Sequence, residues 1–180
     1  MIDHPASCVA TTPILGPPQA IVAQAEAWAQ DRMASEEFVS LAAHYWDLAE
    51  DHGGVRPEVA FAQAAKETKL GHFGGVVDAS FHNPCGLKTA AGGSNSDPNA
   101  HQRFTTWREG VTAHLDHLAL YAGADGYPRA EGTTPDPRHF GFLVGKATSV
   151  EALGGNWAPS EAYGRSIVAD YLTGLLATKV

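Results

Sequence analysis

The stretch AFAQAAKETKLG, residues 60–71, is the most informative part of this sequence. Pro57 suits the first turn of a helix, and Gly71 suits its end. The residues between them are small or apolar on nearly every side, which is typical of a helix that is buried on all its faces. The helical spacing places Glu67 on the same face as two alanines. The stretch therefore predicts a buried helix from Pro57 to about Gly71, with one carboxylate near its C-terminal end.

Glu67 has the predicted environment of a general acid. Burial raises the pKa of a carboxyl group because the charged form loses its solvation. A helix C-terminus disfavours negative charge by a further ~0.3–1 kcal/mol. A carboxyl group that keeps its proton near neutral pH can protonate a glycosidic oxygen. The simpler alternative, which spacing alone favours, is a glutamate at the helix rim that pairs with Lys66 or Lys69.

The segments on both sides of this helix indicate a predominantly α fold. Helices are predicted over residues 18–33, 36–52 and 107–122, with a short helix opening at Asp136-Pro137, a turn at 149–153 and a last helix capped by Ser160. Residues 72–104 are rich in Gly, Asn, Ser, Asp and Pro, so a long functional loop with a short hairpin is expected there. The predicted class is α+β, predominantly α, with a small irregular or β lobe. The predicted organisation is an N-terminal arm, 1–12, and one domain, 13–180.

The composition is that of an ordinary globular domain: 44% of the 180 residues are hydrophobic and 18% are charged. Acidic residues outnumber basic ones by 20 to 12, and no basic cluster stands out, which argues against nucleic-acid binding. No apolar run is long enough for membrane insertion. Residues 1–10 lack the pattern of a secretory signal peptide. A monomer is expected.

Two further segments carry candidate sugar contacts. In the segment NPCGLK, Gly86 allows close backbone approach to a ligand, and Asn83 and Lys88 offer hydrogen-bond donors. In the segment WAPSEAYG, Trp157 can stack on a sugar face, and the hydroxyl of Tyr163 can polarise a reacting group. The simpler alternatives are a plain turn for the first segment and core packing for Trp157.

The sequence predicts no metal site and no cofactor. His114 and His117 lie three residues apart, but no HExxH motif and no Cys/His set accompanies them. Solvated or half-buried histidines are therefore the better interpretation. Cys8 and Cys85 are too few for a disulfide framework or a four-ligand zinc site, and Cys85 is expected to be a small buried residue.

Taken in order, these segments resemble the bacterial glucosaminidase family of peptidoglycan hydrolases, which is similar to lysozyme in its helical core. The resemblance covers roughly residues 13–178. The matching features are an alanine-rich helix ending in Glu67 and Gly71, an Asn-x-x-Gly-(Ile/Leu)-Lys segment at 83–88, an aromatic and Glu-Gly helix start at Phe104, Trp107, Glu109 and Gly110, and an aromatic-Ala-x-x-x-Tyr stretch at 157–163. The last of these is one residue longer here than in the family pattern.

The resemblance implies a lysozyme-like endo-β-N-acetylglucosaminidase that acts on peptidoglycan glycan strands at the cell wall. It implies Glu67 as the acid and Tyr163 as a site tyrosine, and it implies that Asn83, Gly86 and Lys88 line or shape the cleft. Because no signal peptide is visible, a phage-type lysin released through a separate hole-forming protein would fit, as would a chain whose signal was removed.

One departure from the family pattern concerns the second carboxylate that most glycosidases place across the cleft. The expected stretch, 99–104, contains no acidic residue. Asp97 is the nearest candidate and Asp78 is another, although either fits a turn. The N-acetyl group of the substrate could act as nucleophile instead. A lytic transglycosylase on the same fold, which needs one glutamate, and a wall-binding module without turnover remain as alternatives.

Overall fold

The helix predicted from residues 60–71 lies among other helices in the computed structural model, which describes residues 11–180. The helices are α1 (Val22–Asp31), α2 (Glu36–Leu48), α3 (Pro57–Thr68), α4 (Trp107–Ala122) and α5, which joins α-helical Tyr163–Ile167, π-helical Val168–Leu172 and α-helical Thr173–Ala177. Short 3-10 turns cover Ala79–Phe81, Pro98–Ala100, Gly141–Leu143 and Glu151–Leu153. The predominantly α, lysozyme-like class predicted from the sequence is confirmed.

Helix α3 is buried on all sides, as its composition predicts. Pro57 occupies its first turn, where a missing N–H costs no helical hydrogen bond. The fully buried ring of Phe61 packs against three rings of α2, with centroids 4.7 Å from Phe38, 5.9 Å from Tyr45 and 6.2 Å from Trp46. Truncating a buried Phe typically costs ~3–5 kcal/mol. This aromatic cluster therefore anchors the helix that carries Glu67.

Helix α3 ends at Thr68, three residues before its predicted end at Gly71. Lys69, Leu70 and Gly71 follow with φ values of 52°, 58° and 83°, which turn the chain sharply. A Cβ atom on Gly71 would lie 2.1 Å from the Oγ atom of Ser35, so only glycine fits there. This early end leaves the predicted acid in the last turn of the helix.

Helix α4 begins and ends where the sequence predicts, at residues 107 and 122. Its start is defined by a reciprocal pair of side chains. The Oγ1 atom of Thr106 accepts a hydrogen bond from the N–H of Glu109 (3.2 Å), and the carboxylate of Glu109 accepts one from the N–H of Thr105 (2.7 Å). Because this cap involves only neighbouring residues, the start of α4 can be predicted from the sequence.

Helices α1 and α2 are shorter than predicted. Helix α1 begins at Val22 rather than at residue 18, because the side chain of Gln24 accepts the N–H of Ile21 and fixes the first turn there (3.0 Å). Helix α2 ends at Leu48, and residues 50–54 form turns.

The predicted short helix at Asp136-Pro137 does not form. The carboxylate of Asp136 instead accepts the N–H of Arg138 (2.9 Å), which closes a turn. Similarly, the last helix starts at Tyr163 rather than directly after Ser160, because the carbonyl of Ser160 accepts the N–H of Tyr163 (3.0 Å) and holds the intervening residues in a turn.

The irregular segment between α3 and α4 contains no strand within the described residues, so the β part of the predicted small lobe is not confirmed. Its one bridge joins Lys88 to His101 in antiparallel fashion. The polar residues between them bond locally, as when Asp97 accepts the N–H of Asn99 (2.9 Å). Such local bonds compete with a β ladder, which accounts for a lobe built of turns.

Within residues 11–180, no helix combines the length and the apolar character that crossing a bilayer requires. Most of the predicted N-terminal arm, including Cys8, lies outside the described residues. Thr12, at its end, donates hydrogen bonds from its N–H and its hydroxyl to the carboxylate of Glu151 (2.9 and 2.8 Å). Cys85 is buried, as expected.

Candidate active site

The last turn of α3 places Glu67 in a cleft with two arms. Glu67 and the exposed Asn95 line both arms. The first arm is also lined by residues 85–88, His117, Tyr121, Arg138 and residues 156–159. The second arm is also lined by Thr68, Lys69, residues 73–77, Asn83 and His101. Among these lining residues, Glu67 is the one carboxylate.

Glu67 is half-buried, and its surroundings act on its pKa in opposite directions. Loss of solvation raises the pKa and is the largest effect. A hydrogen bond donated by the hydroxyl of Tyr163 to Oε1, and the charge of Lys66, lower it by less. The net pKa lies above the ordinary value, so this carboxyl group keeps its proton to a higher pH than a solvated glutamate does.

Tyr163 is buried beside Glu67 and is held from two sides. Its hydroxyl donates to Glu67 and accepts a hydrogen bond from the Nε2 atom of Gln63 (2.9 Å). Burial and the nearby carboxylate raise its pKa well above the ordinary value. Tyr163 therefore stays protonated and acts as a donor.

Two glycines explain how α4 and α5 approach the site so closely. A Cβ atom on Gly164 would lie 1.9 Å from the carbonyl oxygen of Val150, and one on Gly110 would lie 1.9 Å from the carbonyl oxygen of His82. Both helices therefore pack backbone against backbone at their first turns. Gly164 allows α5 to set Tyr163 beside α3, and Gly110 allows α4 to support the loop that follows His82.

Asn83 shapes the cleft rather than offering a free donor. Its Nδ2 atom donates to the carbonyls of Leu87 and Gln102 (2.9 Å each), and its Oδ1 atom accepts the N–H of Leu87 (3.0 Å). Its side chain is 1% exposed, which leaves little of it for a substrate. Its role is to close the loop that presents Gly86.

Gly86 lies directly against the predicted acid. It adopts a φ of 66°, and a Cβ atom there would lie 3.8 Å from the Oε2 atom of Glu67. The missing side chain keeps this oxygen open toward the first arm.

Lys88 and Trp157, the other two residues predicted to contact a sugar, both line the first arm. The Nζ atom of Lys88 also donates to the carbonyl of Gly93, which ties the irregular segment together. Trp157 is half-buried and packs against His117 and Tyr121, with centroids 5.0 and 5.7 Å away. It is therefore both a packed residue and part of the cleft wall.

The second carboxylate predicted from the sequence is not brought to Glu67. Asp97 and Asp78 are exposed, and neither lines an arm of the cleft. Each closes a short turn: Asp97 accepts the N–H of Asn99, and Asp78 accepts the N–H of Ser80 (2.9 Å each). Both correspond to the turn alternative.

The histidines of α4 are buried, so their interpretation as solvated or half-buried residues was wrong. His114 is 0% exposed and contacts Tyr45 through Nδ1 (2.7 Å) and Gln63 through Nε2 (3.0 Å). His117 is 4% exposed and donates from Nδ1 to Asp136 (2.8 Å). In residues 11–180, no group of three or more His, Cys, Asp or Glu side chains is arranged to hold a metal ion.

These contacts include residues that sequence reasoning missed. Gln63 stands four residues before Glu67, on the same helix face, and that spacing could have identified it. The pairing of His117 with Asp136 carries no comparable sequence signal.

A separate hollow of about 490 Å³ lies between residues 15–18 and 46–57. Its lining is mostly apolar, and its one carboxylate, Glu50, is exposed. It lacks an acid that burial could tune, so the cleft around Glu67 is the better candidate.

Comparisons with known proteins place the chain in a family. The family model described as "Glucosaminidase: Mannosyl-glycoprotein endo-beta-N-acetylglucosaminidase" matches residues 42–169, which include Glu67 and Tyr163. A protein of Borreliella burgdorferi, described as uncharacterized, is 28% identical over 114 residues, which cover 63% of this chain and 52% of that protein. The match thus spans about half the length of that relative. No solved structure matches the chain significantly.

Proposed function

Because the chain belongs to the glucosaminidase family, we propose that it is an endo-β-N-acetylglucosaminidase that cleaves peptidoglycan glycan strands with Glu67 as general acid. Family membership supports a glycosidase activity related to peptidoglycan. The observation that carries the finer proposal is the state of Glu67: among residues 11–180 it is the one carboxylate lining the cleft, and its pKa is raised.

In the first step, protonated Glu67 gives its proton to the oxygen that leaves from C1 of N-acetylglucosamine, and the C1–O bond breaks. The carboxylate that forms accepts the hydrogen bond of Tyr163. A hydrogen bond to an ionised group is typically about twice as strong as one between neutral groups. Tyr163 thus stabilises Glu67 most after the proton has left, which favours the transfer.

The oxygen of the substrate's own acetamido group then bonds to C1 in place of the leaving oxygen, which gives an oxazolinium intermediate. Water adds to C1, the acetamido oxygen leaves, and the Glu67 carboxylate accepts the proton of the water. This route needs one protein carboxylate, which matches the lining of the cleft.

The test is mass spectrometry of purified peptidoglycan digested by the wild type and by Glu67→Gln, with borohydride reduction of the products. Reduced N-acetylglucosamine ends from the wild type and none from the variant are expected. Reduced muramic acid ends would contradict the proposed bond specificity. Equal release by Glu67→Gln would contradict the role of Glu67.

The single carboxylate also favours a second candidate, a lytic transglycosylase. There the 6-hydroxyl of muramic acid replaces water as the nucleophile, and the same acid protonates the leaving oxygen. The product then carries an anhydro-muramyl end that borohydride does not reduce and that is lighter than the hydrolysis product by one water. The same digest distinguishes the two reactions.

We further propose that the domain acts on the cell wall, outside the cell that made it or delivered as a phage-type endolysin, and works as a monomer. Light scattering during size-exclusion chromatography tests the oligomeric state. Binding to purified wall without release of any reducing or anhydro end would replace the enzyme proposal with that of a wall-binding module.

A further inference from the structure

A chain of four hydrogen bonds leads from the protein core to Glu67. It joins Tyr45 to His114 (2.7 Å), His114 to Gln63 (3.0 Å), Gln63 to Tyr163 (2.9 Å) and Tyr163 to Glu67. Tyr45, Gln63 and His114 are 0% exposed, so water does not compete for these bonds. We infer that Gln63 and His114 are positioning residues that fix which oxygen of Glu67 carries the catalytic proton. This inference rests on the proposed role of Glu67 as the acid.

The direction of the chain follows from the donors that each group possesses. Ionised Glu67 can only accept, so the single hydroxyl hydrogen of Tyr163 points toward it. The oxygen of Tyr163 must then accept from Gln63, and only the amide nitrogen of Gln63 can donate. A flipped amide would set a carbonyl oxygen against a hydroxyl that has no second hydrogen to give.

The same reasoning fixes the tautomer of His114. The Oε1 atom of Gln63 only accepts, so the Nε2 atom of His114 carries a hydrogen. Burial lowers the pKa of His114 to about 3, so the ring is neutral at working pH and Nδ1 is an acceptor. Tyr45 then donates to Nδ1. Every hydrogen bond of the chain is therefore donated toward Glu67.

This direction decides where the acid proton lies. With the Nε2 atom of Gln63 facing Tyr163, a proton on Oε1 of Glu67 would leave the hydroxyl of Tyr163 without an acceptor among residues 11–180. A proton on Oε1 would require the Gln63 amide to flip and His114 to carry its hydrogen on Nδ1, which reverses the whole hydrogen-bond chain. The proton is therefore held on Oε2. That oxygen is the one beside Gly86, where no side chain separates it from the first arm. The chain thus directs the proton toward the substrate.

Other ionisable groups also face Glu67, and the test leaves them unchanged. Lys66 is its neighbour on α3, Tyr163 comes from α5, and Cys85 comes from the loop after His82. Lys88, His117 and Arg138 line the first arm, and Lys69 and His101 line the second.

The first experiment determines the direction of the hydrogen-bond chain without an activity assay. In protein labelled with 15N-histidine, the ring shifts of His114 report which nitrogen carries the hydrogen. The neutral Nε2–H tautomer at pH 6 is expected. The Nδ1–H tautomer, or a charged ring at that pH, would mean that the chain does not run as inferred.

The second experiment titrates the Glu67 carboxyl by 13C NMR in the wild type and in Gln63→Leu. Without the bond from Gln63, Tyr163 is a weaker donor and is free to accept, so the pKa of Glu67 is expected to rise. His114→Leu should act in the same direction. His114→Gln, whose amide can donate to Gln63 from nearly the same place, should stay close to the wild type.

Kinetics then link the chain to the reaction. Gln63→Leu should lower kcat about tenfold, with KM little changed, because one hydrogen bond that acts on a charge is weakened. The alkaline limb of the kcat profile should move to higher pH. The control is Tyr127→Phe, which removes a hydroxyl bonded to Asp116 outside the chain and should leave both the limb and kcat unchanged.

A purely structural role predicts something different. Gln63→Leu and His114→Leu would then lower the melting temperature but leave the Glu67 titration unmoved, and that result overturns the inference. If the wild type shows no glycosidase activity, the proposed function fails, while the His114 tautomer and the Glu67 titration still decide the inference by themselves.

Discussion

The hydroxyl of Tyr163 donates a hydrogen bond to the carboxylate of Glu67, although 96 residues separate the two along the chain. This contact joins the first turn of the last helix to the last turn of α3, behind the carboxylate that lines the cleft. It also opposes the loss of solvation that raises the pKa of Glu67. These opposing effects on the pKa suit a general acid, because Glu67 must hold a proton before the reaction and be stabilised as an anion after it.

Glu67→Gln should greatly reduce turnover and stabilise the protein at neutral and alkaline pH. Removing a general acid typically costs ~10²–10⁴-fold in rate. The pKa of Glu67 is raised above its ordinary value of 4.5, so the folded protein binds this proton more tightly than the unfolded chain does. Folding stability therefore falls as the pH rises from about that value through the raised pKa. Glutamine carries no such penalty.

The measurement is the melting temperature of both proteins between pH 4 and pH 8. We expect the variant to melt above the wild type at pH 8, with the difference closing toward pH 4. Glu131→Gln, at an exposed position, is the matched control and should show no such trend. A variant less stable than the wild type at pH 8 would contradict a raised pKa for Glu67.

Tyr163→Phe should lower kcat by about 10–100-fold, the range expected for a lost hydrogen bond to a charged group. Because the hydrogen bond lowers the pKa of Glu67, its loss should raise that pKa and move the alkaline limb of activity to higher pH. A pH–rate profile of solubilised glycan cleavage checks both effects. Tyr171→Phe on the same helix is the control, and an unmoved limb in Tyr163→Phe would speak against this coupling.

Asp97→Asn should retain most of its activity. Asp97 is exposed and its carboxylate caps a turn at Asn99, and asparagine can accept the same N–H. Release of reducing ends from purified wall, compared with the wild type at matched concentration, is the measurement. A loss of about a hundredfold or more would mean that substrate draws Asp97 into the cleft as the second carboxylate.

The parts of the site that could be predicted from sequence are those set by local chemistry. The alanine-rich pattern of α3 determines its burial and the face on which Glu67 lies. Thr106 and Glu109 define the start of α4 through bonds within one turn. The sequence predicts that Asn83 belongs to the cleft segment. It does not predict the role of Asn83, because its partner Gln102 lies far along the chain.

Relations between distant segments could not be predicted. His114 and His117 look alike in the sequence, yet one faces Gln63 and the other Asp136. Asp97 stands near the expected position of a second carboxylate, but its orientation depends on the turn that follows it. Such outcomes depend on tertiary placement, which neither spacing nor composition encodes.

Gly164→Ala should lower both stability and activity, although it adds only one methyl group. The added methyl would lie 1.9 Å from the carbonyl oxygen of Val150, so α5 must move away from that turn. Overpacking of this kind typically costs ~1–3 kcal/mol. Because Tyr163 precedes Gly164, the same shift should weaken its bond to Glu67. We expect a lower melting temperature together with a lower kcat in the fraction that folds.

Gly141→Ala is the control for this substitution, since it lies outside the cleft and a methyl there meets no atom closer than 4.0 Å. It should match the wild type in both melting temperature and kcat. Wild-type stability and activity in Gly164→Ala would contradict the close packing of α5 against Val150.

Asp136→Asn should lower the free energy of unfolding by an amount that depends on pH, because Asp136 supports His117 in the wall of the first arm. The carboxylate of Asp136 is buried and accepts hydrogen bonds from the ring nitrogens of His117 (2.8 Å) and His139 (2.9 Å). Although burial alone would raise its pKa, these bonds outweigh that effect and bring the pKa from 3.8 to about 2. A depressed pKa stabilises the fold at pH values above the unfolded value, and that stability is lost as the pH falls from 3.8 toward 2.

Urea unfolding at pH 7 and at pH 2 to 4 measures this contribution, which should be about 2 kcal/mol at neutral pH. The wild type should lose that amount as the solution is acidified through this window, and Asp136→Asn should lose correspondingly less. Asp125→Asn, at an exposed position, should follow the wild type throughout. If Asp136→Asn unfolds with the wild-type acid dependence, the two histidines do not hold this carboxylate in its charged form, and His117 owes its place beside Trp157 to ring packing alone.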